Sequence, residues 1–193
     1  MADLSSFYEG TTKVFSVTIL HNGAAPNIIS DTVRFIVKKN LSDADASALI
    51  NTTADVTTSG SSGIAIFTLS SEQTEIAVGT YYYEITWGIS ATKTGTISIA
   101  NPAIVTCNSH GLSNNQRINF TTTGTLPGGL TVGTNYYVDY IDTNTFHVTA
   151  TPDGDNIETT GTQTGTHTLN YFSSYYVLQS SKVEVLEKLT DNI

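Results

Sequence analysis

Apolar and polar positions alternate along most of this chain with a period of two, the signature of half-buried strands rather than amphipathic helices. Over 13–20 (KVFSVTIL), Phe15, Val17 and Ile19 fall on one side, and Val14, Ser16, Thr18 and Leu20 on the other. The first set is the better core face. His21-Asn22-Gly23 then supplies turn chemistry, because Asn and Gly tolerate positive φ. A second strand over 31–39 places Val33, Phe35 and Val37 inward, with Arg34 and Lys38 outward. Residues 42–50 (SDADASALI) predict one short helix, capped by Ser42 and favoured at its positive end by Asp43 and Asp45.

Residues 63–69 (GIAIFTL) give a further strand, with Ile64, Ile66 and Thr68 on one face and Phe67 and Leu69 on the other. A single capped turn is expected over 71–77. The strand at 80–87 (TYYYEITW) is the most aromatic of the chain. It sets Tyr81, Tyr83, Ile85 and Trp87 against Tyr82, Glu84 and Thr86.

Composition shifts near Thr94. From there to about Leu169 the chain is dense in Thr, Gly and Asn, with Thr-Gly-Thr at 94–96, 123–125, 160–162 and 164–166. Short strands at 103–107, 117–121, 135–141 and 145–149, joined by turns such as Pro127-Gly128-Gly129, predict a small barrel. Beyond it, 174–189 (SYYVLQSSKVEVLEKL) returns to the style of the first segment, with a clear strand at 182–186. A sandwich built from residues 1 to about 93 lacks a strand, and this terminal segment can supply it. Loop closure becomes costlier only slowly with length, so a barrel inserted into a hairpin between Trp87 and Tyr175 is tolerable if its ends lie close together. The expected architecture is all-β: a β-sandwich from 1–95 and 170–193, with a β-barrel inserted at 96–169.

Charge refines this picture by exclusion. Only 13 % of residues are charged, and 17 acidic against 8 basic residues give a net charge of −9. Phosphate backbones need clustered Lys and Arg, whereas the densest cationic pair is Lys38-Lys39, so no nucleic-acid partner is expected. No apolar run approaches the length that spans a bilayer, so no membrane role is expected either. The opening Met-Ala-Asp-Leu-Ser-Ser lacks the basic and apolar segments of a secretion signal. The single cysteine, Cys107, forbids an internal disulfide, which fits synthesis in a reducing cytoplasm.

Two resemblances carry further. Tyr8-Glu9-Gly10-Thr11, Val33-Arg34-Phe35-Ile36-Val37-Lys38-Lys39 with Ser42-Asp43, Gly79-Thr80-Tyr81-Tyr82-Tyr83-Glu84-Ile85 and Ser181-Lys182-Val183-Glu184-Val185-Leu186 form the first set. Through them, residues 7–93 and 171–190 resemble the immunoglobulin-like N-terminal module of phage baseplate upper proteins and related small virion proteins. The Gly79-Thr80-Tyr81 step also resembles the tyrosine corner of sandwich domains, which implies that Tyr81 is a hydrogen-bonded structural residue. Tyr83 stands where antibody-type domains carry a cysteine, so the immune-receptor reading is excluded. The second set is Asn101-Pro102-Ala103-Ile104-Val105-Thr106, His110-Gly111-Leu112-Ser113, Thr125-Leu126-Pro127-Gly128-Gly129-Leu130, Tyr136-Tyr137-Val138, Asn144-Thr145-Phe146 and the Thr-Gly-Thr tail. Through it, residues 96–169 resemble the small FCCH barrel, the first catalytic cysteine half-domain of ubiquitin-activating enzymes, in the version common in phage tail proteins. This resemblance implies a fold and a setting, not ubiquitin chemistry.

Candidate chemistry is sparse. Cys107 and His110 have the spacing of half a zinc site, and His147 or His167 could add to it, but a structural site needs four ligands and no second cysteine exists. The plainer reading makes Cys107 a small apolar residue ending a strand and His110-Gly111 the start of a turn. No Gly-x-Ser-x-Gly elbow exposes a serine for a hydrolytic triad. Asp139, Asp142, Asp153, Asp155 and Glu158 read as a solvated loop, and Asp153-x-Asp155 lacks the other ligands of a calcium loop. Tyr82 and Tyr137 are the outward aromatics on which a sugar could stack, although strands and protein interfaces use tyrosine as readily. The sequence therefore predicts no catalytic, metal or cofactor-binding residue. It predicts a non-enzymatic virion structural protein that docks on other particle proteins and on copies of itself, as a decoration or accessory component of capsid, tail or baseplate. A host-surface glycan-binding module is the rival.

Overall fold

The structure, a computed structural model, describes residues 4–188. Residues 1–3 and 189–193, including the Leu189 on which the last expected segment ended, lie outside the described residues. The fold is all-β. Apart from strands, the regular elements among the described residues are two single 3-10 turns, Asp45–Ser47 and Gly60–Ser62. The chain divides into two compact units, one formed by residues up to Ile89 together with those from Ser174 onward, the other by Ser90–Ser173.

The first unit takes strands β1 (Ser6–Tyr8), β2 (Lys13–Thr18), β3 (Thr32–Lys38), β4 (Ile50–Thr53) and β5 (Ile64–Leu69). It also takes the leading part of β6 (Gly79–Ile97) and the trailing part of β11 (His167–Leu186). β3 pairs antiparallel with both β4 and β6, setting Ile36 against Asn51 and Phe35 against Ile85. β1 runs parallel to β11, with Phe7 against Val185, and β11 also pairs with β6. β2 and β5 form a separate two-stranded sheet in which Phe15 opposes Phe67. Alternation puts Val17, Ala65, Phe67 and Leu69 of the small sheet and Val33, Phe35, Val37, Tyr83, Ile85 and Trp87 of the large one into a single core. Phe35 meets Phe15 edge-on at 5.2 Å, and Phe15 stacks on Phe67 at 5.0 Å. Tyr81 donates its hydroxyl hydrogen to the Ala77 carbonyl at 2.8 Å, the bond a tyrosine corner makes.

Two local expectations fail here. The helix over 42–50 is only the 3-10 turn Asp45–Ser47, with no side-chain cap. Leu49 and Ile50 are adjacent and cannot build a helical stripe. Ile50 is buried in the core by pairing with Val37, and Asp43 turns back to accept the Asn40 N–H at 2.9 Å. Lys38 does not point to solvent: the residue is 5 % exposed, and its ammonium bridges Asp45 at 2.8 Å and Glu84 at 2.9 Å. A buried cation needs such partners, and they come from outside its own strand.

The second unit adds β7 (Val105–Thr106), β8 (Arg117–Thr122), β9 (Asn135–Tyr140) and β10 (Thr145–Thr149). The neighbours run β11, β8, β9, β10, β7, β6 in hydrogen-bonded order. Ile97, Val105, Ile118, Phe120, Val138, Phe146, Val148 and Leu169 form its core. The composition change at Thr94 does not interrupt the backbone, because β6 continues to Ile97. Along β6, Tyr83, Ile85, Trp87 and Ile97 are buried while Thr92, Thr94 and Thr96 are exposed. Along β11, His167, Leu169, Val183 and Val185 are buried.

Two of the Thr-Gly-Thr repeats pair with each other. Thr123 and Thr125 donate their N–H groups to the carbonyls of Thr166 and Thr164, each at 3.1 Å. The approach is so close that a Cβ on Gly124 would lie 2.4 Å from the Thr164 carbonyl oxygen, and Gly165 sits at φ +79. The repeat is thus a contact between two backbones that no side chain can enter.

Candidate functional site

The Cys107 and His110 pair converges on no metal. His110 is 2 % exposed, and both ring nitrogens serve the turn around it. The Leu112 N–H donates to Nδ1 at 3.0 Å, which leaves Nε2–H to donate to the Asp142 carbonyl at 2.7 Å. Cys107 is buried, and that burial pushes its thiol pKa up, against the pull of the Lys93 charge. A thiol held protonated is a poor nucleophile and a poor ligand. His147 donates Nδ1–H to the Ala103 carbonyl at 2.7 Å. His167 lies between Thr122 (2.9 Å) and Gln163 (2.8 Å), and Gln163 in turn donates to the Ile97 carbonyl. Among the described residues, no group of three or more His, Cys, Asp or Glu could hold a metal ion.

His167 and Gln163 border an open groove of about 900 Å³ in the second unit, along Thr94, Thr96, Thr106 and Thr166. Its one cation, Lys93, donates to the Ser109 carbonyl. The lining offers hydroxyls and main chain, but no aromatic platform and no acid–base pair.

The acidic residues act as turn fasteners. Asp142 accepts the N–H groups of Asn144 (2.7 Å) and Thr145 (2.8 Å), and these bonds, the Asn144 one foremost, lower its pKa. Asp139 accepts from the Asn156 amide at 3.0 Å, Asp153 from Asn115 at 2.7 Å and Glu158 from Asn101 at 3.2 Å. Asp155 is exposed. Asp139 and Asp153 share a small polar hollow with Asn114 and Asn115, and a neighbouring amide takes one oxygen of each carboxylate.

Of the two outward tyrosines, Tyr137 is half-buried on β9. Tyr82 borders a shallow depression with Asn40, Leu41 and Ser42, and the Lys182 ammonium lies 5.7 Å from its ring centre. A further aromatic group escaped the sequence reading. Trp87 and Tyr176 stack at 5.3 Å, His21 meets both edge-on at 5.7 and 5.5 Å, and the Trp87 indole donates to Asp31 at 2.8 Å. Its members come from a turn, two strands and a loop, so no local pattern marks it.

No protein-family model matches the chain, and a search of curated proteins finds no match either. Among solved structures, the chain is similar to a phage phi92 endosialidase, with 26 % sequence identity and a TM-score of 0.29. That match covers 58 % of this chain and 17 % of the other, so the chain spans a small part of that protein's length.

Proposed function

We propose that the protein is a non-enzymatic structural component of a tailed-bacteriophage particle, assembled in the bacterial cytoplasm and carried on capsid, tail or baseplate. In this reading the first unit is the immunoglobulin-like sandwich that docks on other particle proteins, and the second is the inserted FCCH-like barrel that decorates it. The ordered motifs of the two resemblances support the setting. One structural observation supports the passive role: His110 and His167 each spend both ring nitrogens on hydrogen bonds inside their own fold. A general base needs a lone pair directed at a substrate, and these two rings are committed elsewhere.

Gold-labelled antibody against the protein, imaged on intact particles by electron microscopy, is expected to decorate one fixed location. Label confined to lysate and absent from particles overturns the proposal. The discontinuous sandwich has its own test. With residues 96–169 replaced by a short Gly linker, the remnant is expected to keep a β-type circular dichroism spectrum and a cooperative melt, and an unfolded remnant refutes that division.

Tyr82 favours a second reading, a receptor-binding module for host glycan. Its ring borders an open depression whose Asn40 and Ser42 could hydrogen-bond a saccharide stacked on it. Saturable glycan-array binding that disappears in Tyr82→Ala would select this reading over the structural one.

A further inference from the structure

The strand edges of the first unit are not treated alike. β4 is four residues long and carries Asn51, which takes the Arg34 guanidinium at 2.6 Å. β1 is three residues long. The side of β5 turned away from β2 is covered by Asp55, which exchanges two main-chain bonds with Ile66 at 2.7 and 2.9 Å. β2 has β5 as its one partner strand among the described residues. The Ile19 N–H donates to the Gly63 carbonyl across that pair. Alternation therefore turns the main-chain groups of Val17, Phe15 and Lys13 toward β5, and those of Val14, Ser16 and Thr18 away from it. None of these last three is charged, none is proline, and all three side chains are exposed, Val14 at 59 %. Natural sheets blunt such edges with charge, proline, bulges or a covering segment. Along 14–18 this edge carries none of these.

We propose that β2 pairs antiparallel with β2 of a second copy of this chain across a twofold axis at Ser16. The strand is self-complementary in that register. Val14 faces the partner's Thr18 on the exposed side, Ser16 faces the partner's Ser16, and half-buried Phe15 faces the partner's Val17 on the core side. No like charges oppose one another, because Lys13 falls opposite the partner's Ile19. The three outward residues of each copy join about six main-chain hydrogen bonds. The β-branched and aromatic cross-strand pairs then cover the exposed Val14 and the open flank of Phe15. This inference rests on strand geometry alone, and the particle assignment can fail without it.

Sedimentation of the full chain, with Ser16→Glu and Ser16→Lys variants, tests it. The wild type is expected to dimerise. Each variant places two like charges face to face at the axis and is expected to weaken dimerisation at least about tenfold, while circular dichroism stays unchanged. A 1:1 mixture of the two variants is expected to restore a heterodimer, because the charges then attract. Hydrogen exchange at the amides of 14, 16 and 18 is expected to slow on dimerisation. A monomeric wild type, or a dimer indifferent to both charges, overturns the proposal. So does protection of these amides that appears only when other particle proteins are added, which would give the edge to a different chain.

Discussion

The two units are held together by different means. The first buries a continuous aromatic and aliphatic core, in which the Phe35 ring contacts those of Phe15, Phe67 and Tyr83. The second has a smaller core and relies more on specific polar contacts: histidines wired to main chain, aspartates closing turns and glycines where backbones meet. One unit is stabilised mainly by removing apolar surface from water, which is tolerant of detail. The other depends on directional bonds, where each lost partner strands a buried polar group.

The sharpest way to break this contrast is Phe35→Ala, which should remove about 3 to 5 kcal/mol from the first unit by opening a cavity among fully buried rings. The lone Trp87 reports this as a denaturation midpoint shifted to lower denaturant. Gly129→Ala should cost the second unit about 2 kcal/mol or more, because Gly129 has φ +97 and its Cβ would lie 2.2 Å from the Glu158 carbonyl. Hydrogen exchange of peptides covering 123–130 and 158–166 measures that loss. His110→Phe keeps an aromatic ring but leaves the Leu112 N–H and the Asp142 carbonyl without their partner, for about 1 to 3 kcal/mol. Should Gly129→Ala and His110→Phe leave exchange unchanged, the second unit is not held by the contacts described.

Two titrations are expected to give smaller effects. The hydrogen bond that the Lys38 ammonium donates to Asp45 foremost, together with the one to Glu84, raises its pKa above the ordinary 10.5. The folded chain thus holds that proton more tightly than the unfolded one. The stabilisation is complete below pH 10.5 and is lost as pH climbs through the raised value. Thermal melts of Lys38→Met against wild type should converge across that window. Asp55 behaves oppositely. The hydroxyls of Thr58 and Thr57 and the Thr57 N–H lower its pKa from 3.8 to about 2. Its contribution is present above pH 3.8 and disappears as pH falls through about 2, so Asp55→Asn should flatten the acid limb of the stability curve slightly.

How far the sequence reveals the fold follows the same division. The strands containing Phe35, Phe67 and Tyr83 are legible because alternation reports burial directly. Lys38 is misread because its burial depends on Asp45 and Glu84, which lie in another loop and another strand. The helix at 42–50 is misread because propensity and capping residues are local, whereas pairing of Ile50 with Val37 is tertiary. The leading half of β11 is hidden for another reason. Its Thr, Asn and Tyr residues resemble the surrounding loops in composition, and neighbouring strands decide their state. At the candidate site, the spacing of Cys107 and His110 suggested ligands, but ring direction decides their role and sequence does not encode it. The stacked Trp87, Tyr176 and His21 come from three distant segments and leave no spacing to find.

The pleat of β6 has an evolutionary corollary within the first unit. Tyr83, Ile85 and Trp87, its buried apolar residues there, stand at every second position. Adding one residue between Tyr83 and Trp87 would turn one end of that set away from the core, while adding two would restore it. Natural variants of this chain should therefore show an even count of insertions there, a parity lock imposed by the pleat of a single strand.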